Sequence, residues 1–409
     1  MTVRDRRAVR DRQARLAAYA AFAVQGLCFA TLVTRVPRVQ DAHGMSDGAL
    51  ALVLLLVPLI AGAGSVAAGA LFARRGSAPV LRAAQPTVCL AVVLFGLTGG
   101  GIPVLCAAVA LFGLSVGAVD AAMNAQAVAV ERRYGVSLLT GFYAVWSVAG
   151  IGGGLWAALA NRLELSLATG FLLPAAVGTA ISLATGPRLL RRAEEGTGPS
   201  AEEMRAAALR VPWRPVLVVG AGLGVFYLTD AAIANYSTKY LEDELGAGGT
   251  VGPLGYVAYQ VAMVASRAAA DLGVRRCGGV AVVRAGGLVG LAGMLGVVAA
   301  PAAPVAVAAF AVAGLGLAVV APVAFSAAGR VDPTGLGVAV ARLNVFNYVG
   351  FVLGAAIVGA IAPLGADDGL RLAFTAPALL VAVIVLTAGG FRTQPDAARA
   401  APAAGRATG

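Results

Sequence analysis

The sequence predicts an all-α integral membrane protein of about 12 transmembrane helices in two six-helix halves. Three observations carry this reading. Stretches without a charged residue recur along the 409 residues, arginines gather in every second gap between them, and a basic loop recurs about halfway along the chain. A helix crossing ~30 Å of hydrocarbon needs about 20 apolar residues, because backbone groups in lipid must be satisfied within the segment.

The spans follow in order. Residues 1–15 are basic and predict a cytoplasmic N-terminus leading into a retained first helix rather than a cleaved signal. Charge-free runs then cover Leu16–Thr34, Gly48–Ala73, Tyr134–Asn161, Leu165–Pro187, Leu245–Ser266, Leu343–Ala366 and Leu372–Phe391. Two longer runs, Ala83–Val119 and Ala285–Gly329, are broken at Gly99–Pro103 and Ala300–Pro304, so each predicts two spans joined by a tight turn. A span over Val216–Thr238 completes the set. The expected division is a first half over 16–187, a cytoplasmic linker over 188–214, a second half over 215–391 and a disordered cytoplasmic tail over 392–409.

Composition supports the same class, with 59% hydrophobic residues, 12% charged and 54 glycines. The net charge of +11 does not mark a nucleic-acid binder. With the N-terminus inside, inner loops hold 25 of the 31 Lys and Arg, outer loops five, and Arg267 lies within a span. That bias places both termini in the cytoplasm and the protein in the inner membrane. Cys28, Cys89, Cys106 and Cys277 lack paired spacing and read as packing residues. His43 stands alone, and no Walker motif occurs, so neither a metal, another cofactor nor direct use of ATP is expected.

The internal repeat sets Arg74-Arg75-Gly76 and Val80-Leu81-Arg82 against Arg275-Arg276-Cys277-Gly278 and Val282-Val283-Arg284. Together with the span count and the central linker, these basic loops resemble the major facilitator superfamily. Its loop motif runs Gly-x-x-x-Asp-Arg-x-Gly-Arg-Arg; Gly69, Arg74 and Gly76 match, while Ala73 stands at the aspartate. In the second half Arg276 and Gly278 match, with Asp271 at the leading glycine and Arg275 at the aspartate.

A narrower resemblance rests on Thr34-Arg35-Val36-Pro37, on the segment Asp120 to Glu131, and on Gly141-Phe142-Tyr143-Ala144-Val145-Trp146-Ser147. These are similar to a bacterial branch of rhizopine-transport-like membrane proteins related to fucose-proton symporters. The symporters' acidic-x-x-x-Asn pattern in the fourth span is matched by Asp120 and Asn124, but their acid in the first span has no counterpart here. The resemblance implies a secondary transporter with a small-molecule substrate.

Candidate site residues come from the cost of polar groups at membrane depth. Asp120 falls ~26 Å along the fourth span and is the first proton-coupling candidate, with Asn124 one turn on. Asp230 in the seventh span is the second, with Tyr227 at i−3 on its face; Asn235 and Lys239 read as interfacial. Tyr143, Trp146 and Ser147 share a face of the fifth span and suit stacking on a ligand or helix packing equally. Gln25, Gln260, Asn344, Asn347 and Tyr348 complete the cavity candidates. Arg267 and Asp271, at i and i+4, predict an ion pair that opens as the halves rock.

The predicted function is transport of a small organic solute by alternating access, coupled to protons, by a monomer in the lipid bilayer. Efflux of a drug or metabolite, and a non-transporting sensor or scaffold of the same fold, are the alternatives. The chain is not expected to be an enzyme.

Overall fold

The computed structural model describes residues 3–97, 101–135, 138–195, 201–332, 338–365 and 368–392, which form helices joined by turns. The first half holds α1 (Val3–Val33), the short α2 (Val36–Ala42), α3 (Asp47–Arg75), α4 (Ser77–Phe95), α5 (Gly101–Tyr134), α6 (Leu139–Arg162) and α7 (Leu167–Thr185). Short helices α8 (Arg192–Glu195) and α9 (Ala201–Arg210) occupy the connection. The second half holds α10 (Trp213–Lys239), α11 (Leu254–Cys277), α12 (Gly279–Val298) and α13 (Ala303–Leu317), which continues as α14 (Val320–Val331). It closes with α15 (Val338–Ile361) and α16 (Gly369–Leu380), which continues as α17 (Ala382–Thr387).

Among the described residues, eleven helical segments are long and apolar enough to cross a membrane. The twelfth span of the fold is α11, whose Arg267, Asp271, Arg275 and Arg276 dilute its apolar length; it packs against α6 and α13. The chain is thus an all-α, multi-pass membrane protein of about twelve spans.

Two helix boundaries differ from the charge-free runs. The eighth span starts at Leu254 rather than Leu245, because residues 246–253 carry four glycines and Pro253, which favour a loop. The first helix begins at Val3 and carries the basic stretch as solvent-exposed turns ahead of its apolar part.

Both six-helix groups have their own apolar core, one drawn from residues 14–190 and one chiefly from 207–391. The starts of α1 and α10 share one end of the bundle, here called the terminal end; α2 and the turn after α10 lie at the far end. Val36, Leu50 and Leu54 belong to the first half in sequence but pack in the second core, beside Tyr236 and Leu241. The halves therefore interlock at the far end. Between the halves, α3 packs on α15 and α6 on α11.

Glycine sets two features of this packing. Gly76 and Gly278 precede α4 and α12 with φ of +81° and +84°, so the repeated basic loops end in the same left-handed turn. Gly117 on α5 lies so close to α3 that a β-carbon there would sit 1.8 Å from the Ala61 carbonyl oxygen. Small residues at such crossings let backbones approach where lipid offers no hydrophobic drive.

Gly117→Ala is expected to push α3 from α5 and cost ~1–3 kcal/mol, as overpacking does. Gly62→Ala, where a β-carbon meets nothing within 4 Å, should melt like the parent in detergent.

Candidate functional site

The fourth span places Asp120 and Asn124 one turn apart, and the fold brings two tyrosines onto them. Asn124 Nδ2 donates to Asp120 Oδ1 at 3.2 Å and to the Asp120 carbonyl at 2.8 Å. Tyr143 OH, from α6, donates to Asn124 Oδ1 at 2.8 Å. Tyr348 OH, from α15, donates to Asp120 Oδ2 at 3.3 Å. The result is a chain Tyr348, Asp120, Asn124, Tyr143 that crosses from one half to the other. Both tyrosines keep 43% of their surface exposed although their hydroxyls bond inward.

Asp230 bonds to a tyrosine of its own half, beside Tyr256, which packs against Ala30 and Val33 of the first half. Tyr259 OH, fully buried on α11, donates to Asp230 Oδ1 at 2.8 Å, and Tyr256 OH accepts from Gln260 Nε2 at 2.7 Å. Tyr227, the expected neighbour of Asp230, packs its ring 5.3 Å from Phe351 and 4.9 Å from Phe226. Among the described residues, Gln25 Oε1, Gln260 Oε1 and Asn347 Oδ1 are buried without a hydrogen-bond partner. Asn344 is exposed. Trp146 sits 5.8 Å from the Phe29 ring, and its backbone lies against Gly26.

Arg267 reaches across the halves as well, with Nη1 donating to Ser147 Oγ of α6 at 3.3 Å. Its expected partner, the side chain of Asp271, lies outside the described residues. The halves meet further at the far end. Lys239 pairs with Asp47 at 3.2 Å, and Asn161 Nδ2 donates to the Gly249 carbonyl at 2.6 Å.

At the terminal end the linker is fastened to both halves. Glu195 accepts from Ser77 N at 3.0 Å, Ser77 Oγ at 2.8 Å and Gln126 Nε2 at 3.0 Å. It caps α4, whose own N-cap, Gly76, has no side chain to offer. Arg192 lies against Gly76 and donates to the Arg74 carbonyl, so the loop motif is held by the linker, while Gly69 is exposed with open space around it. Glu194 takes Arg10 Nε at 2.9 Å and Nη2 at 2.6 Å, and those bonds hold its carboxyl below the usual range. On the other side, Arg342 donates to the Ala208 and Val211 carbonyls and stacks 4.0 Å from the Trp213 ring. Arg276 is exposed, and Gly278 is buried at the matching turn of the second half.

Several of these residues escaped the sequence reading. Lys239 looked interfacial but is buried in the seam. Arg35 was legible only as part of a motif; it is 1% exposed, lies 5.3 Å from the Phe171 ring, and burial lowers its pKa to about 10. Cys28 and Cys89, unpaired in spacing, meet at 3.8 Å between α1 and α4 as free thiols. His43 bonds the Phe95 carbonyl at 3.1 Å. Among the described residues no group of three or more His, Cys, Asp or Glu could hold a metal ion.

Among solved structures, the nucleoside transporter NupG superposes with a TM-score of 0.70 over 93% of this chain and 98% of its own, at 13% identity. The E. coli fucose:proton symporter FucP superposes in its outward conformation with a TM-score of 0.63, over 92% and 98%, at 15% identity. The chain has the major facilitator fold. No family model matches it. In sequence it resembles an uncharacterized MFS-type transporter of Yersinia pestis, 29% identical over 90% of this chain and 93% of that one. It is also 29% identical to the membrane protein MosC of Rhizobium meliloti, over 83% and 82%. Both expected resemblances, to the major facilitator superfamily and to its rhizopine-related branch, thus hold, and the proteins this chain resembles are transporters and membrane proteins.

Glu194→Gln is expected to lower the melting temperature slightly near neutral pH, since a partly exposed ion pair contributes at most ~1 kcal/mol. The depressed carboxyl stabilises the fold above its ordinary pKa and loses that effect as pH falls. The melting curves of parent and variant should therefore start to approach each other as pH falls below about 4.5 and coincide only below the depressed native value.

Proposed function

We propose that this chain is a proton-coupled secondary transporter of a small polar organic solute, working by alternating access in the inner membrane. The reading rests first on the bond between Asp120 of one half and Tyr348 of the other, where Tyr348 keeps 43% of its surface exposed. The excess of arginine in alternate loops orients the termini, and with them the linker, towards the cytoplasm. Interlocked far-end contacts then correspond to a cavity open inwards. Residues 16–187 and 215–391 act as the two rocking units of a functional monomer, joined by 188–214.

Asp120 ties protonation to this motion. Ionised, it accepts charge-assisted bonds from Tyr348 and Asn124; protonated, it keeps only neutral ones. Bonds to charged groups contribute ~1.5–3 kcal/mol against ~0.5–1.5 for neutral ones, so the proton loosens the seam by about 1 kcal/mol. That shifts a two-state equilibrium roughly fivefold, enough to bias a cycle without locking it. Asp230 bonds within one half, so its proton would act on that half rather than across the seam.

The solute would take the place left between the tyrosines. Tyr143 and Tyr348 offer rings with polar tips, and Gln25, Gln260 and Asn347 carry amide oxygens that need donors. Donors are what a hydroxyl- or amine-bearing solute supplies, so a polar solute fits better than an apolar drug.

The test is a thermal-shift screen of detergent-solubilised protein against sugars, cyclitols, amines and antibiotics at two pH values, with uptake and export assays for any hit. A pH-dependent shift lost in Asp120→Asn, with Tyr348→Phe weakening it a few-fold, is the expected result. Undiminished pH dependence in Asp120→Asn removes that carboxylate from the mechanism.

A further inference from the structure

Lys239 closes the far end with two carboxylates that answer to different parts of the molecule. Its ammonium pairs with Asp47 at 3.2 Å and with Asp243, one turn along its own chain. Asp47 opens α3 of the first half and is held by Gln40 Nε2 at 2.7 Å; Asp243 lies in the π-helical turn Tyr240–Glu244 that extends α10 of the second half. The lysine side chain is only 10% exposed, whereas Asp47 and Asp243 are 60% and 46% exposed. A small cavity of about 140 Å³ lies along the same seam, lined from both halves by residues including Leu50, Tyr236 and Gly359.

An ammonium that parts from its only counter-charge loses the whole of that pairing, whereas one with a second carboxylate beside it loses only a share. When the halves part at the far end, Asp47 leaves with the first half while Asp243 travels with the lysine. The second carboxylate therefore keeps the charge paired in the opened state and lowers the cost of opening. We propose that Lys239 is a gate lock in which Asp47 is the bond that closes the far end and Asp243 is the acceptor that lets it open. Resting on the alternating-access reading above, the proposal adds which residues set the balance between its two states.

Two partners of one lysine then have opposite effects. Asp47→Asn removes the closing bond and favours an open far end. Asp243→Asn leaves Asp47 as the ammonium's main partner and strands the lysine on opening, so it favours the closed end. A static structural role would make both losses act alike. Since both carboxylates are well exposed, neither carboxamide endangers folding, and Lys239→Gln serves as the unlocked reference.

The measurement is a spin-label distance distribution between labels at Ala42 and Thr250, exposed far-end positions on opposite halves, with the exposed Cys106 and Cys277 replaced by serine. The ratio of long to short distances should rise on the order of tenfold in Asp47→Asn and Lys239→Gln and fall in Asp243→Asn. If both carboxamide variants move the ratio the same way, the lock is overturned while rocking of the halves stands. A single unchanged distance in all variants overturns the lock and, with it, the alternating-access reading.

Discussion

Lipid cannot hydrogen-bond, and every other feature of this molecule follows from that constraint. Backbone groups are satisfied inside helices, so the chain becomes a bundle of long apolar segments. Side chains with charge or hydrogen-bonding capacity are then expensive anywhere except against one another or along a wet seam. Asp120, Asn124, Tyr143 and Tyr348 meet on that seam, and Asp230 finds Tyr259. Polar residues that would be costly singly become a connected path when helices from both halves converge.

The same constraint divides labour between the two ends. At the far end, apolar interlocking through Val36, Leu50 and Leu54 surrounds a single buried lysine. At the terminal end the linker fastens to one half through Glu194 and Glu195 and to the other through Arg342 and Trp213. The loop motif lacks its aspartate because residue 73 is alanine, and a carboxylate from the linker caps α4 at the adjoining turn instead. The fold keeps an acid at this turn while drawing it from a distant part of the chain.

The helices were legible because hydrophobic length and the spacing of arginines are properties of the chain itself. Boundaries were less so: the run from Leu245 looked like the start of a span, yet its glycines and Pro253 yield a loop, and the helix takes in Arg267 instead. Within the site, Asn124 beside Asp120 follows from helical periodicity alone. Tyr348 opposite Asp120 does not, since 228 residues separate them and only the packing of α15 against the first half brings them together. Nor does Trp146 beside Phe29 and Gly26, since those residues lie on α1, far from it in the chain.

Sequence alone determined the class, the approximate number of spans and the repeat that ends in matched glycines, because each depends on composition or on neighbours within a turn or two. Tertiary structure decided which polar residues face each other, which end is interlocked, and that Lys239 is a buried link rather than an interfacial anchor. Those outcomes depend on contacts between helices far apart in the chain, and such contacts leave no periodic trace in the sequence.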